Sequence, residues 1–149
     1  MAGLEVDFDE DLLSELFDGD IDNLCEAMLN DAAPILEKAA QNECRKVIEH
    51  EGDSELVKSI KANKAKKTKN GAHIVNVSPK GNSTKKHYIS KTSARRKYPV
   101  SNALKAIWKE YGIPGQQAPH PFFQKASNHA KQEVLNRMQE VYNRRTGVK

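Results

Sequence analysis

The residues of this chain best suited to chemistry are its histidines, cysteines and clustered charges, and their spacing argues against catalysis. His50, His73, His87, His120 and His129 are scattered along the chain. No pair has the H-E-x-x-H spacing that sets two imidazoles on one helix face around zinc, and none lies at zinc-finger spacing from a cysteine. His50-Glu51 follows a helical pattern and reads as solvated. A G-x-S-x-G elbow, a phosphate-binding loop and a dinucleotide glycine pattern are all missing. Asp7, Asp9, Glu10 and Asp11 place carboxylates close enough to hold a cation, yet lack the glycine and distal glutamate of an EF-hand loop. As helix-capping charge they need no metal. Cys25 and Cys44 fall in helical patterns. Met1 to Asp11 is acidic and lacks the basic-then-apolar order of a signal peptide, so the cysteines are expected as buried thiols. The expectation is a chain with no catalytic residues, no metal site and no cofactor.

Charge is distributed far more unevenly than the net value of +4 implies. Residues 1–55 hold 17 acids and 3 bases, whereas residues 56–109 hold 15 bases and no acid. Lys64, Lys66, Lys67 and Lys69 surround a turn signal, and Lys85, Lys86, Lys91, Arg95, Arg96 and Lys97 lie in the loops that follow. Three readings of this block stay open. It is a solvated loop that keeps a sheet edge from aggregating. It is a set of phosphate contacts for nucleic acid, whose binding is driven by counterion release. Or it meets acidic surface on a neighbouring subunit, for which the same chain offers its acidic first third. No helix is expected to span a membrane, because no run of about 18 apolar residues occurs.

These charges must be positioned by a core of modest size, since only 38% of the residues are hydrophobic. A short acidic helix from Asp9, with Leu12, Leu13, Leu16 and Phe17 on one face and Gly19 at its end, is expected to form an arm over residues 1–20. A single domain is expected over 21–146, with 147–149 as a frayed tail. Leu24, Cys25, Met28 and Leu29 predict a second helix, which Asp31 and Pro34 kink or restart. Ile35 to Ile48 then continues with helical spacing to Glu49, so that residues 1–50 read as helical throughout. Leu56 to Ala62 alternates like a strand. Asn70-Gly71 and Pro79-Lys80-Gly81-Asn82 are turns, flanking a β-branched run at Ile74, Val75 and Val77. His87, Tyr88 and Ile89 suit a short third strand. Val100, Ala103, Leu104, Ile107, Trp108 and Tyr111 make a full apolar helix face, for core packing or, with its aromatics, for an interface. Gly112 and Pro114 end that helix. Phe122, Ala126, Ala130, Val134, Met138 and Val141 form the stripe of a closing helix from Pro121. The fold class expected is α+β: N-terminal helices, a small antiparallel β-sheet with a long basic hairpin loop, and a long C-terminal helix packed on the sheet.

Residues Ala103 to Gly112, followed by Ala118 to Ala126, resemble the small tail-component proteins of long-tailed bacteriophages, described as tail-completion or neck proteins. That family has a Glu-aromatic-Gly step, a short loop, a Pro-x-Pro-Phe-like step and a closing helix. Glu110, Tyr111 and Gly112, then Pro119, Pro121 and Phe122, fill those positions. The family has Thr-Gly-x-Leu and Ser-Ile upstream. Here Asp53-Ser54-Glu55-Leu56 and Ser59-Ile60 stand in their place, so the Thr-Gly is absent. The likeness spans residues 22–145. It implies a non-enzymatic virion protein, made in the host cytoplasm, that forms a homo-oligomeric ring and touches neighbouring tail or head-connector proteins. DNA contact in the lumen is implied for the basic block, but no membrane and no small-molecule substrate. The rival expectation is a small nucleic-acid-binding protein using the basic 58–97 segment.

Overall fold

In the computed structural model, residues 3–6, 21–48, 54–87 and 98–147 are described. The helical spacing after Asp20 becomes one continuous helix, α1 (Ile21–Lys46), rather than two with a break at Pro34. Pro34 and Asn30 both face solvent. The Asn30 carbonyl that the proline ring leaves without its helical donor is therefore on the wet side, where the cost of the missing bond is smallest. The helix ends at Lys46, short of Glu49. Cys25 and Cys44 are buried thiols, as expected, and 19 positions on one helix separate them by about 28 Å, far beyond disulfide reach.

The apolar run at Ile74, Val75 and Val77 forms β4 (His73–Pro79), the middle of a small antiparallel sheet. On one side β2 (Ile60–Ala62) pairs with it from Ile60 opposite Pro79 to Ala62 opposite Val77. Beyond that point the pairing slips by one position, and β3 (Lys66–Lys67) sets Lys66 opposite Ile74. The extra residue between Ala62 and Lys66 is a bulge in one edge of the sheet. The expected Asn70-Gly71 turn joins β3 to β4, with Gly71 at φ 87° and the Thr68 N–H donating to the Ala72 carbonyl. On the other side β4 pairs with β1 (Gly3–Val6), Val6 opposite His73. This corrects the reading of residues 1–50 as helical throughout. Gly-Leu-Glu-Val alternates with the period of a strand, and β4 offers a free edge to pair with. The expected helix from Asp9 to Gly19 lies outside the described residues.

Leu56 to Ser59, expected as strand, belongs to a short helix, α2 (Ser54–Ser59). Leu56, Val57 and Ile60 are all buried, which is i, i+1, i+4 spacing that a strand does not produce. The Pro79 to Asn82 turn forms as expected, with Gly81 at φ 74°. It leads into β5 (Asn82–His87), which pairs with β6 (Tyr98–Ser101) in a separate two-stranded sheet. Lys85 and Lys86 are thus in a strand, not a loop, and Val100 lies within a strand instead of starting a helix. Tyr88 and Ile89 lie outside the described residues. Two helices follow: α3 (Asn102–Tyr111) and α4 (Phe122–Thr146).

The α+β class holds: an N-terminal helix, small antiparallel sheets and a long C-terminal helix. All six stripe residues of α4 are buried, and Phe122 is fully so. The chief neighbour of α4 is α1. Arg137 reaches Asp31 at 2.7 Å and His129 reaches Glu43 at 3.4 Å, so the two helices run antiparallel. Replacing Phe122 by alanine is expected to cost about 3–5 kcal/mol, the value for emptying a filled core site. Leu135→Ala, 41% exposed on the same helix, should change stability by under about 0.5 kcal/mol. Equal losses in urea unfolding would contradict this placement of the α4 stripe.

Candidate interaction surface

Helix α3 carries the apolar face read from the sequence, but that face points outward. Ile107 is 48% and Tyr111 68% exposed, while Asn102, Lys105, Ala106 and Glu110 are buried. Leu104 and Trp108 are half-buried. An amphipathic helix turned this way must have its polar side held by specific bonds, because buried polar groups without partners are costly. Those bonds are present. The Asn102 N–H donates to the Gly81 carbonyl at 3.0 Å and its side-chain amide to the Lys80 carbonyl at 2.9 Å. Lys105 Nζ donates to Ser83 Oγ at 2.8 Å. Ser101 caps the helix start through its hydroxyl, which accepts from the Leu104 N–H at 3.2 Å.

At the other end of α3 the Glu110 carboxylate crosses to α4. It accepts from the Phe123 N–H at 2.8 Å and the Gln124 N–H at 3.1 Å. The α4 N-cap is Pro121, which has no side-chain group to offer these donors. Glu110 therefore supplies from the previous helix both the acceptors and the negative charge that a helix N-terminus favours. The loop between is equally constrained. Ile113 and Gln117 exchange both backbone hydrogen bonds at 2.9 Å, and the His120 N–H donates to the Lys109 carbonyl at 2.7 Å. Gly112 sits at φ +76°, where a Cβ would come within 2.6 Å of the Gln117 carbonyl oxygen. Only glycine fits. Glu110, Gly112, Pro121 and Phe122 thus form one latch, with Tyr111 projecting from it.

Beside the latch runs a groove of about 640 Å³. Ala103, Ile107 and Tyr111 form one wall, Phe123 and Gln124 the other, with Pro119 and Pro121 at the end and Pro79 of β4 at the base. Its lining is predominantly apolar, as suits a protein contact more than a charged ligand.

The basic residues are only partly gathered. Lys64, Lys66, Lys67 and Lys69 are exposed around the β3–β4 hairpin. Lys67 is turned inward to α1, its ammonium 2.9 and 3.0 Å from the two carboxylate oxygens of Asp22. The side chains of Lys85 and Lys86, and all of Arg95, Arg96 and Lys97, lie outside the described residues. Part of the acid–base asymmetry is therefore satisfied within one subunit. His73, buried on β4, also places Nε2 3.0 Å from Asp22, and with a carboxylate as partner that nitrogen carries the proton. The Lys67 ammonium, and secondarily His73, hold the Asp22 carboxyl below the usual aspartate range.

Further along α1, polar side chains close the outer edge of β2. Glu37 accepts from the Ala62 N–H at 2.7 Å and Gln41 donates to the Ile60 carbonyl at 2.9 Å, while Asn30 accepts from the Ala65 N–H at 2.8 Å in the bulge just beyond β2. This edge is covered by the chain itself and is not free to pair with another strand. None of these contacts had a signal in the sequence, because the partners lie 19 to 35 positions apart. Among the described residues no group of three or more histidine, cysteine, aspartate or glutamate side chains is arranged to hold a metal ion. No helix among them is long and apolar enough to cross a membrane.

Two outcomes follow. Glu110→Ala removes the acceptors of the α4 N-terminus and should lower stability by about 1–2 kcal/mol, read by thermal unfolding. A change below that range would mean the latch contributes little. Asp22, with its folded pKa depressed, contributes stability above the ordinary aspartate range that is lost as pH falls through the depressed value. Lys67→Met removes the larger cause, so its Tm should fall less steeply on acidification than that of the parent chain. Parallel Tm curves would rule the Lys67–Asp22 pair out as a source of acid sensitivity. Comparison with protein-family models, curated proteins and solved structures gives no match to this chain.

Proposed function

We propose that the chain is a non-enzymatic structural subunit of a phage virion, which completes the tail or joins it to the head by oligomeric assembly. The observation that carries this reading is the outward apolar face of α3. A helix whose polar side is bonded inward leaves Ile107 and Tyr111 exposed at a fixed site, and such a patch is stabilised by a partner. The resemblance to tail-component proteins rests on the same residues. Glu110, Gly112 and Pro121 each have a positional task in the latch, and Phe122 anchors α4 in the core. That a family motif and a structural unit coincide supports the assignment to the tail or neck of the virion.

In this reading the exposed lysines of the β3–β4 hairpin face an adjoining ring or the DNA path through the lumen. Lys64, Lys66 and Lys69 also favour the second reading, a nucleic-acid-binding protein, in which the isolated subunit binds duplex DNA with a steep salt dependence. Immunogold electron microscopy of purified particles, with antibody raised against the chain, distinguishes the two. Gold at the head-proximal end of the tail is expected. Particles that carry no label anywhere, while the chain binds DNA in solution, would overturn the virion reading.

A further inference from the structure

The groove beside α3 has an apolar lining and a basic surround, which is a specification for its occupant. Exposed Lys125 lies next to Gln124 of the lining, and the one acid among the lining residues is Glu110. That acid is committed to the N–H groups of Phe123 and Gln124. Lys131 is exposed and lies one turn beyond Ser127 and Asn128, which line the groove, and Lys80 is exposed next to the Pro79 base. The complement is a segment with large apolar side chains embedded in acids.

Residues 7–20 of this same chain have that composition. They hold seven acids and no base, with Phe8, Leu12, Leu13, Leu16 and Phe17 among them. The spacing of the leucines and Phe17 predicts one apolar helix face, the form in which such a segment enters a groove. A subunit's own segment is poorly placed for its own groove. Its two ends are held beside His73, since Val6 pairs with His73 and Asp22 bonds to it. The groove touches the opposite end of β4, at Ser78 and Pro79. That is about 17 Å along the strand. The return trip alone would use about ten of the fourteen residues in extended form, leaving too few to lay the apolar side chains along the groove.

We propose that the groove receives residues 7–20 of a second copy of the chain, giving head-to-tail association. The proposal rests on the assembly reading above and names the partner of its contact surface. Charge-complementary contacts of this kind weaken with salt.

The test is sedimentation velocity on the full-length chain over a range of concentrations. It uses a groove variant, Ile107→Glu with Tyr111→Glu, and a segment variant, Leu12→Asp with Leu16→Asp. The groove positions are exposed, so the fold is kept, and circular dichroism checks both variants. The parent chain should self-associate, more weakly in high salt, and each variant alone should associate at least tenfold more weakly. An equimolar mixture of the two variants retains one intact groove and one intact segment, and should form a heterodimer and nothing larger. Association of the groove variant at parental strength overturns the proposal, as does a mixture that stays monomeric. A parent chain that is monomeric at every concentration also overturns it. If gold nevertheless labels the tail end of particles, the groove serves a different virion protein: the virion reading stands and the self-docking inference falls.

Discussion

Helix α1 is packed on two sides at once, and every other element depends on that. The sheet lies against one side and α4 against the other. Small residues make this possible. Ala32, Ala33, Ala40, Cys25 and Cys44 are all buried in α1, alongside only a few larger side chains such as Leu29 and Met28. Short side chains let two neighbours approach one helix without leaving cavities, which is how a chain with a thin hydrophobic content still closes a core. The same helix then spends its polar residues on the sheet. Glu37 and Gln41 satisfy the outer edge of β2, Asn30 holds the bulge beyond it at Ala65, and Asp22 holds the hairpin through Lys67 and His73.

The consequence appears at α3. The sheet and α4 take the two sides of α1, and α3 adds only Ala106 to the buried core cluster. Helix α3 lies at the margin and is fastened by its polar side, through Asn102, Lys105 and Glu110. The bond from Glu110 to the start of α4 couples the orientation of the two helices. The groove is therefore bounded by two helices joined through Glu110, and pre-positioned surfaces of this kind lower the ordering cost of binding. Internal closure of the β2 edge and outward display of the α3 face occur together: at α3 contact by helix side chains is offered, while at the β2 edge strand pairing is blocked.

The helical and strand periods of α1, β4 and α4 were legible because each is a long, regular burial pattern. The six-residue stripe from Phe122 to Val141 and the Asn70-Gly71 turn are found where their spacing puts them. Short elements misled. Leu56 to Ser59 is too brief to distinguish strand from helix by alternation, and Gly3 to Val6 has a strand period that only a waiting edge on β4 makes structural.

What the amino-acid sequence determined by itself is the α+β class, the principal helices, the central β-branched strand, the glycine turns and the separation of acidic from basic segments. These follow from local periodicity and backbone preference, which are properties of neighbouring residues. What only the tertiary structure decided is direction: which face of α3 looks inward, which lysine of the hairpin is neutralised, and which carboxylate caps which helix. A hydrophobic period states that a face is apolar but not that the interior has room for it. Here Asn102, Lys105 and Glu110 on the opposite face of α3 are buried and held by polar bonds, and Ile107 and Tyr111 face the surface.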